Sequence, residues 1–146
     1  GKLMVEADRK YGDLVRDKKI TFLARAEGML ELQLDKNKIW SVLDNLVYNA
    51  LRHTPEGGSI SLCISRDVDN RAALRVSDTG EGIAAAHLPH IFERFYKVSP
   101  ERGEKDGSSG LGLYIVKTTA EAMGGSVRVE STLGKGTVFT VTFPAR

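Results

Sequence analysis

The apolar residues of this chain change period as it is read from one end to the other, and that switching constrains the fold more than any single residue. Helical spacing carries Leu3, Val5, Tyr11, Leu14 and Val15 over residues 2–18. A β-prone run, Ile20-Thr21-Phe22-Leu23-Ala24, follows. Leu30, Leu32 and Leu34 then alternate with Glu31 and Gln33, the period of a half-buried strand. Asp35 stands where a helix N-cap would be. From Ile39 the apolar positions Val42, Leu43, Leu46, Val47, Ala50 and Leu51 return to helical spacing, stopped by Thr54-Pro55-Glu56-Gly57-Gly58. Two alternating runs around Leu62 and Leu74 flank the polar turn Val68-Asp69-Asn70-Arg71 and predict a hairpin. A short helix is expected over 84–92, a mobile polar loop over 97–109 and a second helix over 111–123, ended by Gly124-Gly125. Strands over 127–130 and 138–143, joined by Leu133-Gly134-Lys135-Gly136, close the chain. This order predicts a sheet with its helices packed on one face.

A length of 146 residues suits one domain with a single core. The formal charge of +2, from 21 basic and 19 acidic residues, is too balanced to argue for a nucleic-acid or membrane surface. One cysteine, Cys63, forbids an intrachain disulfide and permits a reducing compartment. No run approaches the roughly 20 apolar residues of a membrane span. The abrupt helical opening suggests a piece of something longer.

Three constellations carry chemistry. Asn45, Asn49 and Arg52 fall on one helical stripe beside the apolar one. A carboxamide oxygen is a hard ligand suited to Mg²⁺, and Arg52 can neutralise phosphate. Asp78-Thr79-Gly80-Glu81-Gly82 sets a carboxylate at a strand end, followed by glycines that let a flat ligand approach. Gly107-Ser108-Ser109-Gly110-Leu111-Gly112-Leu113 opens a helix with exposed N–H groups, a cradle for phosphate. It is neither a Rossmann fingerprint nor a Walker A loop. Each has a bland counterpart: a solvated helix face, a plain turn, a glycine-rich helix start. Trp40 reads as packing, His87 and His90 as surface residues, and Cys63 as a quiet thiol.

Order and spacing together go further. Asp44-Asn45-Leu46-Val47-Tyr48-Asn49-Ala50-Leu51-Arg52-His53-Thr54 resembles the N box of sensor histidine kinases, and Asp78-Thr79-Gly80-Glu81-Gly82-Ile83 their first glycine box. Ile91-Phe92-Glu93-Arg94-Phe95-Tyr96 resembles the F box, Gly110-Leu111-Gly112-Leu113 the second glycine box and Gly134-Lys135-Gly136-Thr137 the last. The resemblance spans about residues 20–144. It implies the catalytic ATP-binding domain of a two-component kinase in the gyrase, chaperone and histidine kinase superfamily. The fold it implies is an α/β two-layer sandwich of the Bergerat type, with a mixed sheet.

The roles that follow belong to the resemblance. Asn49 would bind Mg²⁺, Asn45 would support it or touch phosphate, Arg52 would face the phosphates and His53 the sugar–phosphate region. Asp78 would take the adenine amino group, with Gly80, Gly82 and Ile83 around the base. Phe92 and Phe95 would seat a lid that includes Lys97 and Gly107. Gly110, Leu111, Gly112 and Leu113 would face phosphate, and Thr137 the adenine end. Ser108 departs from the family's usual glycine. ATP and Mg²⁺ are the implied cofactors. The phosphoacceptor histidine and the assisting base would lie on a dimerisation domain upstream in the same polypeptide, with residues 1–18 leading in from it and 19–146 forming the catalytic domain. A cognate response regulator, a homodimeric full-length protein and a monomeric isolated domain are also implied. So is a cytoplasmic setting within a membrane-bound sensor, with no membrane or nucleic-acid contact of its own. The competing readings are a gyrase-type ATP-driven gate and a regulatory module without kinase activity. A gate would carry a catalytic glutamate in the N-box helix, where this chain has Asp44 about 100° round from Asn45.

Overall fold

The computed structural model describes residues 2–28, 35–97 and 110–144. The alternating run Leu30–34 and nearly all of the loop 97–109 lie outside these residues. Helix α1 (Lys2–Asp17) and strand β1 (Thr21–Ala26) come first, then α2 (Lys36–His53) and the hairpin β2 (Ser59–Arg66) and β3 (Ala72–Asp78). Helix α3 (Gly112–Ala122) leads into β4 (Ser126–Thr132) and β5 (Gly136–Phe143). The strands form one sheet in the order β1-β2-β3-β5-β4, with β1 parallel to β2 and all other pairs antiparallel. This is the mixed sheet of a two-layer α/β sandwich.

Periodicity accounts for the layers. Along β4 exposed and half-buried residues alternate strictly, as in a sheet with one covered face. Helix α2 turns Ile39, Val42, Leu43, Leu46, Val47 and Ala50 into the core, and they meet Leu62, Leu74, Val76, Phe139 and Val141 from the strands. Asp35 caps α2 as its position suggested: Oδ1 accepts from the N–H groups of Asn37 at 2.9 Å and Lys38 at 3.3 Å. At the other end the Lys18 ammonium donates to the carbonyl of Leu51, a cation answering an orphan acceptor of the last turn.

Helix α1 shares this core. Met4, Ala7, Tyr11 and Val15, spaced by three and four, are its buried residues. Tyr11 is fully enclosed, edge-on to Phe22 and Tyr48 and tilted against Trp40. Its hydroxyl donates to the Asp44 carboxylate, and Lys10 bridges the same carboxylate at 2.9 Å while its ammonium sits 4.9 Å from the Trp40 ring centroid. Burial first, and the Asp44 carboxylate second, push the Tyr11 phenol far above its ordinary range. Trp40 is a packing residue, as its place beside the stripe predicted.

Residues 84–92 do not form the expected helix. They make a chain of turns, with His87 N–H donating to Ala84 O, His90 to His87, Glu93 to His90 and Tyr96 to Glu93. Pro89 has no N–H to give to an α-helical ladder and restricts Leu88 before it, so the segment closes one i→i+3 bond at a time. His87 and His90 are held there by Tyr96 and Glu93 respectively.

Candidate functional site

The polar residues singled out from the sequence gather where the C-terminal half of α2, the loop after β3 and the start of α3 converge. Asn45 and Asn49 lie one turn apart on α2. The Asn45 amide donates to Ser41 O at 2.8 Å, which directs its Oδ1 toward the start of α3. A Cβ added at Gly112 would come within 3.1 Å of that oxygen, so the absence of a side chain there lets the two helices meet. Asn49 is buried, and its Oδ1 accepts from Arg52 Nη2 at 3.3 Å. One turn of α2 thus holds a carboxamide oxygen and a guanidinium side by side.

The loop after β3 is tied across the end of α2. Glu81 N–H donates to His53 O at 3.2 Å, and the Glu81 carboxylate meets His53 Nδ1 at 2.9 Å. Gly80 and Gly82 have a reason to be glycine that spacing alone does not reveal. A Cβ at Gly80 would collide with the His53 carbonyl, and one at Gly82, where φ is +75°, with the Thr132 carbonyl. Both glycines admit the protein's own backbone at close range.

Asp78 ends β3 as a buried carboxylate. Burial is the largest influence on it and raises its pKa; N–H groups of Gly80 and Thr137 and the nearby His53 act the other way. Gly80 N–H donates to Oδ1 at 2.9 Å. Across the ladder Asp78 faces Thr137 of β5, which faces Ser131 of β4. Ser131 Oγ accepts from Ile83 N–H at 2.7 Å and lies 2.8 Å from Thr137 Oγ1, fastening the loop to the sheet. Ile83 and Leu113 pack partly buried against the core.

The two ends of the segment read as a lid are pinned together. Phe95 N–H donates to Gly110 O at 2.9 Å, and a Cβ at Gly110, where φ is +76°, would lie 2.8 Å from Phe95 Cα. The two phenylalanines act differently. Phe92 stands edge-on to Phe139 in the core, 6.1 Å between centroids, whereas Phe95 holds its ring outward with the Arg94 guanidinium 5.3 Å from its centroid. Phe95 anchors through its backbone. Leu111, the residue before α3, has no hydrogen-bonding side-chain atom, so the leading N–H groups of that helix receive no side-chain cap from it. Lys97 lies half-buried just before the undescribed segment, and Gly107 lies within it. Glu81 and Ser131, which fasten the loop after β3 to α2 and to the sheet, are residues to which the sequence assigned no role.

With this geometry in place, comparison with known proteins is decisive. The family model described as "Histidine kinase-, DNA gyrase B-, and HSP90-like ATPase" matches residues 34–146, most of the chain. The chain belongs to this ATPase family. Within the family its similarity is to sensor histidine kinases. WalK of Bacillus subtilis (strain 168) is 40% identical over 116 residues, which cover 79% of this chain and 19% of that protein. The nucleotide-free catalytic domain of the histidine kinase ThkA matches with a TM-score of 0.83 at 26% identity, over 99% of this chain and 92% of that one. Full-length ShkA, solved in complex with AMPPNP, matches with a TM-score of 0.86 at 28% identity, over 99% of this chain and 29% of that one. The fold is therefore that of the histidine kinase catalytic domain, an ATP-binding domain of the family. The chain spans between 19% and 28% of the length of several curated sensor kinases, so those relatives carry further domains. No helix among the described residues is long and apolar enough to cross a membrane.

Proposed function

We propose that this chain binds Mg-ATP and donates the γ-phosphoryl group to a histidine on a separate dimerisation domain of the same polypeptide, to which α1 leads back. The observation that supports the reading is that two chemistries meet along the C-terminal half of α2: the buried carboxylate of Asp78, beside Gly80 and the His53 carbonyl, would take the base, and the Asn49–Arg52 pair with the α3 start would face the phosphates. The donor set fits magnesium. Among the described residues no group of three His, Cys, Asp or Glu side chains is placed to hold a metal. A carboxamide oxygen has two lone pairs, so Asn49 Oδ1, which accepts from Arg52 with one, would offer the other to an ion that arrives on the triphosphate and keeps several waters. Bound Mg²⁺ would neutralise charge on the phosphate oxygens. Arg52 and the N–H groups that open α3 would complete that neutralisation, Asp78 would accept from the adenine amine, and Gly110 with Phe95 would fix the base of the lid. Such a site works by positioning and by charge, which is what phosphoryl transfer requires.

Asp44 argues against a gyrase-type gate. Its carboxylate is occupied by Tyr11 and Lys10, on the side of α2 that faces α1. The phosphate taken up on the acceptor histidine would pass to a response regulator, and the full-length protein would work as a homodimer. Calorimetric titration of ATP with and without Mg²⁺ tests the site. Asn49→Ala is expected to weaken binding of the Mg²⁺ complex far more than binding of the metal-free nucleotide. An equal loss under both conditions would make Asn49 structural.

A further inference from the structure

The polar row Asp78–Thr137–Ser131 has a hydrogen-bond direction, and the direction follows from counting protons. Ser131 Oγ makes three contacts: Ile83 N–H at 2.7 Å, the Gly136 carbonyl at 2.9 Å and Thr137 Oγ1 at 2.8 Å. A serine hydroxyl has one proton and two lone pairs. The Ile83 N–H can only donate, so it takes one lone pair. The Gly136 carbonyl can only accept, so it takes the proton. What remains for Thr137 is the second lone pair, and the Thr137 hydroxyl must donate its own proton to fill it. Thr137 Oγ1 is then an acceptor toward anything else that reaches it. Its neighbour across the β3–β5 ladder is Asp78, directly opposite, with the two Cβ atoms about 4.5–5.5 Å apart. An ionised carboxylate also only accepts. Two acceptors side by side complement an –NH₂ group and repel a carbonyl oxygen.

We infer that Ser131 is a specificity-determining positioning residue: by holding the Thr137 proton it makes Thr137 a second acceptor beside Asp78, selecting a 6-aminopurine over a 6-oxopurine. This rests on the reading of Asp78 as the adenine partner and adds what sets the character of the wall beside it. Without Ser131, the Thr137 hydroxyl can turn its proton toward the base and satisfy an oxo group equally well. A buried polar group that can rotate to suit its ligand does not discriminate; one held in a single orientation does.

The test measures the affinity of the chain for ATP and for inosine triphosphate, which carries oxygen in place of the 6-amino group, in wild type and variants whose folding is checked by thermal melts. Wild type is expected to prefer ATP. Ser131→Ala is expected to narrow that preference about two- to tenfold, the range of one ordinary hydrogen bond, in part by improving binding of inosine triphosphate. Ser131→Thr keeps the hydroxyl and should restore the preference. Thr137→Val leaves the Ile83–Ser131 bond intact and should narrow the preference through loss of ATP binding alone, having no proton to offer an oxo group. It decides the matter if Ser131→Ala does not fold. An unchanged ratio in Ser131→Ala, or in Thr137→Val where the first is unfolded, overturns the role of Ser131. If ATP is preferred and Asp78→Ala abolishes the preference while both these variants keep it, only the Ser131 proposal falls. If wild type does not distinguish the two nucleotides, the adenine reading falls with it.

Discussion

Replacing Asp78 with alanine is expected to lower affinity for ATP about ten- to a hundredfold, the loss of a charge-assisted hydrogen bond worth about 1.5–3 kcal/mol. The same carboxylate works against the empty fold. Burial raises its pKa on folding, so the folded state prefers the proton. For such a group the stabilising contribution is present below the unfolded pKa and is lost as pH rises through the folded value. At neutral pH the ionised side chain is therefore a cost to the nucleotide-free protein. Asp78→Asn, which keeps an acceptor for Gly80 N–H, should melt higher than wild type at pH 7, and the difference should shrink as pH falls into the carboxylate range. Titrations of ATP and melts between neutral and acid pH read both effects. Unchanged ATP affinity in Asp78→Ala would remove Asp78 from the base pocket, and a lower melting point for Asp78→Asn at pH 7 would contradict the desolvation account.

The second large effect is structural. Gly82→Ala is expected to destabilise the fold by about 2–5 kcal/mol: about 1–2 for a left-handed backbone at a residue with a Cβ, and about 1–3 for displacing the Thr132 carbonyl it would strike. Gly134 provides the control. Its φ is +82° but a Cβ there would meet nothing within 4 Å, so Gly134→Ala should cost only the backbone share. Denaturant unfolding of the two variants separates the contributions. Equal losses would mean that the approach of the loop to Thr132 is not tight. A larger loss at Gly82 would be accompanied by weaker nucleotide binding, since displacement at Thr132 also disturbs the neighbouring Ser131 and with it the bond to Ile83.

What the sequence revealed and what it hid differ in range along the chain. The polar stripe of α2 was legible because Asn45, Asn49 and Arg52 lie within eight residues, on a helix whose start Asp35 marks and whose apolar face is unbroken. Asp78 was legible as the last residue of an alternating run. The turns at 84–95 were not, because a three-residue spacing of apolar positions looks the same whether bonds close i→i+3 or i→i+4, and Pro89 decided between them. Phe92 and Phe95 look alike in sequence as a pair of anchors; only packing shows one ring set against the core and the other exposed. Ser131 escaped notice because its three partners are fixed by the register of β4 on β5 and by a loop 48 residues earlier. In the sequence Tyr11 is one apolar position of a helical spacing, yet it joins α1 to α2 through Asp44. Long-range pairing of this kind leaves no local pattern.

All three histidines of the chain are engaged in local contacts: His53 with Glu81, His87 with Tyr96 and His90 with Glu93. The most direct test of the central claim is therefore transfer of label from γ-³²P-ATP, followed in this chain alone and in the intact polypeptide, with Asn49→Ala in each. The account predicts almost no acid-labile phosphate on the isolated chain, label on a single histidine upstream in the intact protein, and none when Asn49 is replaced. Strong labelling of the isolated chain at His53, His87 or His90, or an intact protein that binds ATP and labels no histidine, would contradict it.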